Sequence, residues 1–527
     1  MSKHTIVVCD HIHEAGLQIL QNTEDINYVY AADVNKTELL NIIKDAHVAI
    51  TRSSTDVDEK FLNAATNLKA IIRAGVGYDN VDIEGCSKRG IIAMNVPTAN
   101  TIAAVELTMA HMLSCMRKFP YAHNQLKIDR VWKREDWYGN ELYGKKLGVI
   151  GFGNIGHRVA LRAKSFEMDV ITYDPYIPST KATDLGIKYT TNFDDILACD
   201  IITIHTPKNK ETIDMISFEQ IAKMKDGVVL INCARGGLYN EEALVENLKS
   251  GKIAMAGIDV FKKEPATNHP LLDLPNVTVT AHLGANTKES QKEISIQAAN
   301  NAIESARGIA YPNALNLPID ESKIPSFVKP YIELTQKMAF LLAQLSKSEI
   351  RSINIAAEGE ISEYLDSLQT FSTVGVLSAS SGDEVNYVNA NFIAKEKNIE
   401  LTTSEYSNHS GYQNKVSIKI TTSTGVKTIS GTVFNDDVQR IVELSGFTID
   451  IEPKGKMIIM RNNDVPGVIG EVGKILGDNK INIADFRLSR GKDGALAVIL
   501  IDEKASSDVL KKLDSLEAAI AVAYAEI

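Results

Sequence analysis

An arginine, a glutamate and a histidine stand just beyond three apolar runs in the middle of the chain. Run 228–232 leads into Cys233-Ala234-Arg235-Gly236-Gly237. Run 254–260 continues to Phe261-Lys262-Lys263-Glu264-Pro265, and run 277–280 ends at Ala281-His282-Leu283-Gly284-Ala285. Read as parallel strands, they deliver Arg235, Glu264 and His282 to the carboxyl edge of a sheet, where open α/β sheets bind ligands. The three residue types fit hydride transfer at a secondary alcohol. Histidine accepts the hydroxyl proton near neutral pH. A carboxylate behind the ring orients it and stabilises the imidazolium. Arginine holds an α-carboxylate bidentately and polarises the forming carbonyl. Taken singly, these residues read as a strand-end hydrogen-bonder and an Arg–Glu ion pair. Their convergence beside a nucleotide turn favours the joint catalytic reading.

That turn lies in residues 147–174, LGVIGFGNIGHRVALRAKSFEMDVITYD. A short apolar run enters Gly151-x-Gly153-x-x-Gly156. A helical pattern follows, with Ile155, Val159, Ala160, Ala163 and Phe166 on one face, and then a second run ends at Asp174. The glycines let the turn close and let backbone N–H groups approach a pyrophosphate at the helix N-terminus. Asp174 lies 18 residues after Gly156, near the spacing of the acid that bonds the ribose hydroxyls. A carboxylate there repels a 2′-phosphate, so the expected cofactor is NAD rather than NADP.

The remaining elements must place a substrate opposite that turn. Residues 5–100 alternate short apolar runs with helical patterns, which implies a doubly wound parallel sheet. Two of its strand exits carry arginine: Arg52-Ser53-Ser54-Thr55, and Arg73 followed by Ala74-Gly75-Val76-Gly77-Tyr78-Asp79-Asn80. Such arginines beside exposed backbone N–H groups suit an anionic substrate, although surface ion pairing explains them equally well. Asn100 is positioned to cap a long helix, 101–116. Residues 117–143 read as polar and irregular, with Trp132 and Trp137 expected to pack on another subunit or as a satellite within one chain. A second alternating series begins at 145, and a helical pattern over 287–307 could cross back to the first sheet. Pro312, Pro318, Pro325 and Pro330 among polar residues mark a linker. Beyond it come helices at 327–345 and 362–377, a strand at 350–356 and a hairpin at 416–433. His409 stands alone and reads as a surface residue. Residues 456–527 show a βαββαβ pattern, with strands at 457–461, 481–489, 495–501 and 519–525, which predicts a small ferredoxin-like domain.

The 527 residues carry a formal charge of -11 without a long basic run, which excludes nucleic acid as an expected partner. Five cysteines, an odd number without CxxC or Cys/His spacing, argue for free thiols in a reducing compartment and against a metal site. The apolar run near the N-terminus is too short for a signal peptide, and no stretch approaches a membrane span. A cytoplasmic protein without membrane partners is expected.

With these residues assembled, the chain resembles the D-2-hydroxyacid dehydrogenase family, and within it the long members that act on 3-phosphoglycerate. The matching stretches are RSST at 52–55, RAGVGYDNVD at 73–82, NVPTAN at 95–100, LGVIGFGNIG at 147–156, HTP at 205–207, NCARGG at 232–237, DVFKKEP at 259–265 and AHLGANT at 281–287. The resemblance implies two Rossmann-like domains with the active site between them: residues 1–99 with 286–310 binding substrate, and 100–285 binding NAD. It carries over Arg235, Glu264 and His282 as the catalytic set. Val76, Gly151, Gly153, Asn154, Ile155, Gly156, Asp174, Thr206, Cys233, Ala234, Arg235, Asp259, His282, Gly284 and Ala285 become cofactor contacts. Arg52, Ser53 and Arg73 become phosphate ligands, and backbone near Gly75, Val76 and Gly77 a carboxylate site. The implied reaction is NAD-dependent oxidation of 3-phospho-D-glycerate to 3-phosphohydroxypyruvate, the first step towards L-serine. The same front half also serves hydroxypyruvate and other 2-keto acid reductases and NAD-sensing corepressors. One departure is Lys208-Asn209-Lys210 after HTP, where a leucine is common.

The tail separates these readings. Residues 316–452 resemble the α+β intervening domain of the long members, and 455–527 an ACT domain, through RNNDVPGVIGEVGKILGDNKINIADF at 461–486. In the family this domain takes serine at subunit interfaces, which implies a dimer or tetramer. Asp464 and Asn482 fit the effector-contact pattern, and Asn462 stands where some relatives carry an aromatic residue or histidine.

Overall fold

The computed structural model describes residues 4–317, 324–346, 348–381, 385–405, 411–435, 437–492 and 494–527. Pro318 of the linker and His409 lie outside them. The first sheet is parallel and contains β1 (His4–Val8), β2 (Ile26–Tyr30), β3 (Val48–Thr51), β4 (Ala70–Arg73) and β5 (Ile92–Asn95), in the order β2-β1-β3-β4-β5. Strands such as β3 and β5 are buried at every position, so they read as continuous apolar runs. The second sheet is also parallel: β6 (Lys146–Ile150), β7 (Asp169–Tyr173), β8 (Lys188–Tyr189), β9 (Ile201–Ile204), β10 (Val228–Asn232), β11 (Ile253–Ile258) and β12 (Val277–Val279). Its order is β12-β11-β10-β9-β6-β7-β8. The winding reverses between β6 and β9, the switch point where such sheets open a crevice for ligand.

The two sheets exchange helices. α1 (Thr101–Arg117) leaves the first sheet and buries Val105, Met109 and Met112 with Leu147, Val149 and Val159 of the second. α2 (Phe119–Lys127) follows it, and α3 (Gly156–Ser165) follows the glycine turn. α4 (Lys288–Ala306), capped by the Thr287 hydroxyl, returns and buries Ile294, Ala298 and Ala302 among Ile6, Ile50 and Ile72 of the first sheet. A fully buried aliphatic side chain contributes about 1.5–3 kcal/mol, so these two crossings are held by packing and not by propensity alone. The chain therefore crosses between the sheets twice, and the cleft lies between the carboxyl edges.

The third sheet is mixed: β13 (Ile350–Glu358), β14 (Glu400–Glu405), β15 (Lys415–Thr422), β16 (Gly425–Phe434), β17 (Val438–Leu444) and β18 (Phe447–Ile451), ordered β14-β13-β15-β16-β17-β18. The helices Val328–Gln344 and Leu365–Ser381 pack on it. The fourth sheet is antiparallel, β19 (Lys456–Asn462), β20 (Ile483–Gly491), β21 (Gly494–Ile501) and β22 (Ala519–Glu526), in the order β20-β21-β19-β22. Two helices, Val468–Asp478 and Ser507–Asp514, cover one face, which is the ferredoxin-like arrangement. Among the described residues no helix is long and apolar enough to cross a membrane.

Four expectations need correction. Asn100 stands at the helix N-cap, but its side chain makes no cap bond; it lines the cleft instead, with Oδ1 buried and unpartnered among the described residues. Residues 117–143 are not irregular throughout. α2 folds there because Pro120 suits a helix start, and Trp137 stacks on its Tyr121 and donates to Gln125 Oε1 at 2.7 Å. Trp132 remains exposed. The start of the linker is not free: Leu315 N–H donates to Ala93 O at 2.7 Å, and the Asn316 amide bonds Ala93 N–H and Ile91 O. This segment covers the open edge of β5, whose backbone groups otherwise lack partners. In the third sheet, β14, β17 and β18 escaped the sequence reading.

Candidate active site

One wall of the cleft is built from Val76, Gly77 and Asp79, the other from Asn154, Arg235 and His282. On the nucleotide side, Gly151 has φ 87, and a Cβ at Gly156 would sit 1.9 Å from Gly151 O. The turn therefore closes only on glycine at both places. A Cβ at Gly153 would face open space, so that glycine leaves room for a ligand at the start of α3. Asp174 is fixed beside the turn: Oδ2 accepts Phe152 N–H at 2.8 Å and Oδ1 accepts Tyr176 N–H at 3.0 Å. Thr206 Oγ1 is buried with no partner among the described residues and lines the same wall. An orphaned hydroxyl, an open glycine cradle and a fixed acid at the second strand's end fit a bound dinucleotide. His205 lines the same cleft but is held neutral. Burial pushes its pKa down to about 3, and its Nε2 lies 3.0 Å from Thr203 Oγ1.

The three strand ends converge. His282 Nδ1 lies 2.7 Å from Glu264 Oε2. The carboxylate accepts a hydrogen bond from Nδ1–H, which leaves Nε2 as the free acceptor. Burial alone would push the Glu264 carboxyl up, but bonds from His282 and from Phe261 N–H at 3.0 Å outweigh it and hold it below its ordinary value. Arg235 is held by its own turn: Nη1 donates to Ala234 O at 2.7 Å, and the Asn232 amide bonds Arg235 O at 2.9 Å. Its Nε meets Asp79 Oδ2 at 3.2 Å, across the cleft. Gly77 lies so close that a Cβ would fall 2.3 Å from Arg235 Nη2. Cys233 is buried, and burial drives its thiol up, so it stays protonated. Asp259 is fully buried and bonds the 280–284 turn. Ala285 O accepts the Gln291 amide at 2.8 Å.

The Glu264–His282 bond has a pH signature. A carboxyl whose native pKa is lowered adds stability that is complete above its unfolded pKa and is lost as the pH falls through the native value. Glu264→Gln removes that contribution. The melting-temperature gap between variant and wild type should therefore close as the pH falls from about 6 to about 3. Calorimetry checks this, and a gap that widens on acidification would contradict the assignment.

On the opposite side, Arg73 is the most perturbed cation. Burial, then the charges of Arg235 and Arg52, push its pKa down to about 10, and its Nε is buried without a partner among the described residues. Burial also lowers that of Arg52. Arg73 thus feels two like charges, Arg235 and Arg52, opposed more weakly by Asp79 and Asp10, and this local excess of positive charge suits an anion. Ser53 is exposed in the same turn as Arg52. Two residues missed by sequence reasoning hold that turn. The Asp10 carboxylate accepts Arg52 N–H, Thr55 N–H and the Thr55 hydroxyl. The Asn80 amide donates to Arg52 O at 2.7 Å and Thr55 O at 2.6 Å. Asn95 likewise fixes Val76 through its carbonyl, at 2.7 Å. Asp10 could have been found from its place at the end of the first apolar run.

In the fourth sheet's domain, Asp464 pairs with Arg490 at 3.3 Å, and the Asn482 amide donates to Asp502 Oδ2 at 2.6 Å. Asn462 is buried, with Oδ1 unpartnered among the described residues. No group of His, Cys, Asp or Glu suited to a metal occurs among the described residues.

Residues 109–284 match the D-isomer specific 2-hydroxyacid dehydrogenase NAD-binding domain, so fold and cleft are those of an NAD-dependent 2-hydroxyacid dehydrogenase. Residues 327–445 match the D-3-phosphoglycerate dehydrogenase intervening domain, and 456–518 the ACT domain. The chain is 38% identical over 521 residues to D-3-phosphoglycerate dehydrogenase of Bacillus subtilis strain 168, covering 98% of each. It is 39% identical over 515 residues to that of Methanocaldococcus jannaschii, covering 96% of this chain and 97% of the relative. Among solved structures, D-lactate dehydrogenase of Aquifex aeolicus with NAD and lactic acid superposes with a TM-score of 0.53 at 28% identity, over 59% of this chain and 99% of that one. The chain belongs to the D-3-phosphoglycerate dehydrogenase family.

Proposed function

We propose that this protein oxidises 3-phospho-D-glycerate to 3-phosphohydroxypyruvate with NAD, the step that opens serine synthesis. The observation that carries the reading is one cleft holding an acid-backed histidine and an arginine across from Gly77, with Arg73 near enough to feel the charges of both Arg235 and Arg52. Arg235 and the backbone of the 75–77 turn hold the substrate carboxylate. Arg52 and Arg73 hold the phosphate, where charge-assisted bonds give both affinity and register. His282 Nε2 accepts the C2 hydroxyl proton while Glu264 keeps the ring oriented and balances the imidazolium charge. NAD, when bound against the 151–156 turn and Asp174, supplies the acceptor for the C2 hydride. Closure of the two walls on each other excludes water from the reacting atoms.

Initial rates with 3-phosphoglycerate and with unphosphorylated glycerate test the substrate. Arg52→Ala should raise KM for 3-phosphoglycerate by about 10-fold or more, since a charged hydrogen bond contributes about 1.5–3 kcal/mol. KM for glycerate should move far less. Equal effects on both substrates would remove the phosphate assignment. The ACT domain takes an effector, read here as serine at Asp464 and Asn482, and serine added to the same assay reports on it. Exposed Phe119, Ile128, Trp132 and Tyr138 on one arm support a homo-oligomer.

A further inference from the structure

We propose that His111 is a positioning residue for His282: a buried imidazole on α1 that orders Asp259 and, through it, the turn that carries the proton acceptor. The proposal rests on the reading of His282 given above. His111 is 4% exposed and sits where α1 crosses the second sheet. A Cβ on Gly257 would lie 2.9 Å from its Cβ, so the strand itself makes room for the ring. Nε2 lies 2.8 Å from Thr280 Oγ1, and Nδ1 lies 3.1 Å from Thr278 Oγ1. Thr280 Oγ1 lies 2.6 Å from Asp259 Oδ1. Asp259 in turn accepts Leu283 N–H at 2.7 Å and Gly284 N–H at 3.0 Å, and its carbonyl accepts His282 N–H at 2.8 Å.

The direction of this chain follows from its end. A carboxylate only accepts, so the Thr280 hydroxyl spends its one proton on Asp259 and must itself accept from His111 Nε2–H. Nδ1 is then an acceptor for the Thr278 hydroxyl at 3.1 Å, nearer than the competing Ala256 O at 3.5 Å, and Thr278 accepts from the Cys115 thiol at 3.4 Å. Burial lowers the His111 pKa against the opposing pull of Asp259, which keeps the ring in the neutral form this pattern needs. The chain holds an unusual backbone in place. His282 has φ 54, a left-handed conformation that few residues with a Cβ adopt. Asp259 ties down that residue and the two after it. Removing the imidazole frees the Thr280 hydroxyl to rotate away from Asp259 and loosens the turn under His282. A displacement near 1 Å at a reacting group costs up to about 100-fold in rate.

The test compares His111→Leu, His111→Gln and Thr280→Val in the full-length protein. His111→Leu should lower kcat by about 10- to 100-fold, with KM for the 2-hydroxy acid within about 2-fold of wild type. His111→Gln, whose amide presents one donor and one acceptor, should recover most of the loss. Thr280→Val breaks the link while keeping the ring, so it should reproduce the kcat loss even where His111→Leu does not fold. The double variant His111→Leu/Thr280→Val should be no worse than the poorer single, because both cut one chain. Rates are expressed per active site, from NADH titration, so that a smaller folded fraction does not count as a slower enzyme. Unchanged kcat in Thr280→Val, or in a folded His111→Leu, or a glutamine variant no better than leucine, overturns the proposal. A wild type that oxidises only unphosphorylated 2-hydroxy acids overturns the substrate reading instead, since the His111 comparison is made on whichever 2-hydroxy acid turns over.

Discussion

His282→Asn should lower kcat by about 10²–10⁴-fold, the span of a positioned acid or base, while NADH binding stays close to wild type. Asparagine is the replacement of choice because His282 has φ 54, a region that asparagine tolerates and most residues do not. The turn can then keep its bonds to Asp259, and the loss reports on the ring alone. The expected split is a fall in kcat with little change in KM, since the imidazole meets the hydroxyl and not the carboxylate or phosphate. Stopped or steady-state rates with fluorescence titration of NADH measure both sides. Turnover within about 3-fold of wild type would remove His282 as the proton acceptor.

The parallel sheets and the chemical trio were legible because each depends on local pattern. Continuous apolar runs such as those of β9 and β10 are buried on both faces, and the residue after each run falls at the ligand edge. Arg235, Glu264 and His282 could be placed that way without knowing their mutual distances. What supports them could not. His111 and Thr280 are 169 positions apart, and nothing in either stretch announces that their side chains meet at 2.8 Å. Asp10 reads as an ordinary strand-end acid until the 52–55 turn folds onto it. Asn100 misled for the same reason: its type and place fit a cap, but the first turn of α1 opens into the cleft. The third sheet was hardest because β17 does not alternate and its pairing with β18 shifts register between Ile441 and Glu443, and no site chemistry marks the ends of either strand. The prolines read as a linker, and among them Asn316 is tied into the first sheet's edge by contacts to residues more than two hundred positions away.

Arg235→Lys should lower kcat/KM by about 2–5 kcal/mol in activation free energy, the range for losing one partner of a buried charged contact. Lysine keeps the charge and loses the planar fork, so a bidentate carboxylate contact disappears while the long-range field remains. Both kcat and KM should change, because the guanidinium holds the carboxylate in the ground state and faces the oxygen that gains carbonyl character. The competing account is structural: Arg235 exists to pair with Asp79 at 3.2 Å and hold the two walls together. The two accounts part on Asp79→Ala. If the ion pair is the purpose, removing Asp79 costs as much as altering Arg235. If the substrate is the purpose, Asp79 competes with its carboxylate for the same guanidinium, and Asp79→Ala leaves kcat/KM within about 10-fold of wild type. The geometry favours the second outcome. Asp79 is 58% exposed and supplies one contact, a pair that contributes little in water, whereas the Arg235 guanidinium also donates to Ala234 O, in a turn whose backbone the Asn232 amide holds, and packs against Gly77. The Nη1 bond to Ala234 O holds the guanidinium without Asp79, so a carboxylate that displaces Asp79 from Nε leaves that anchor in place.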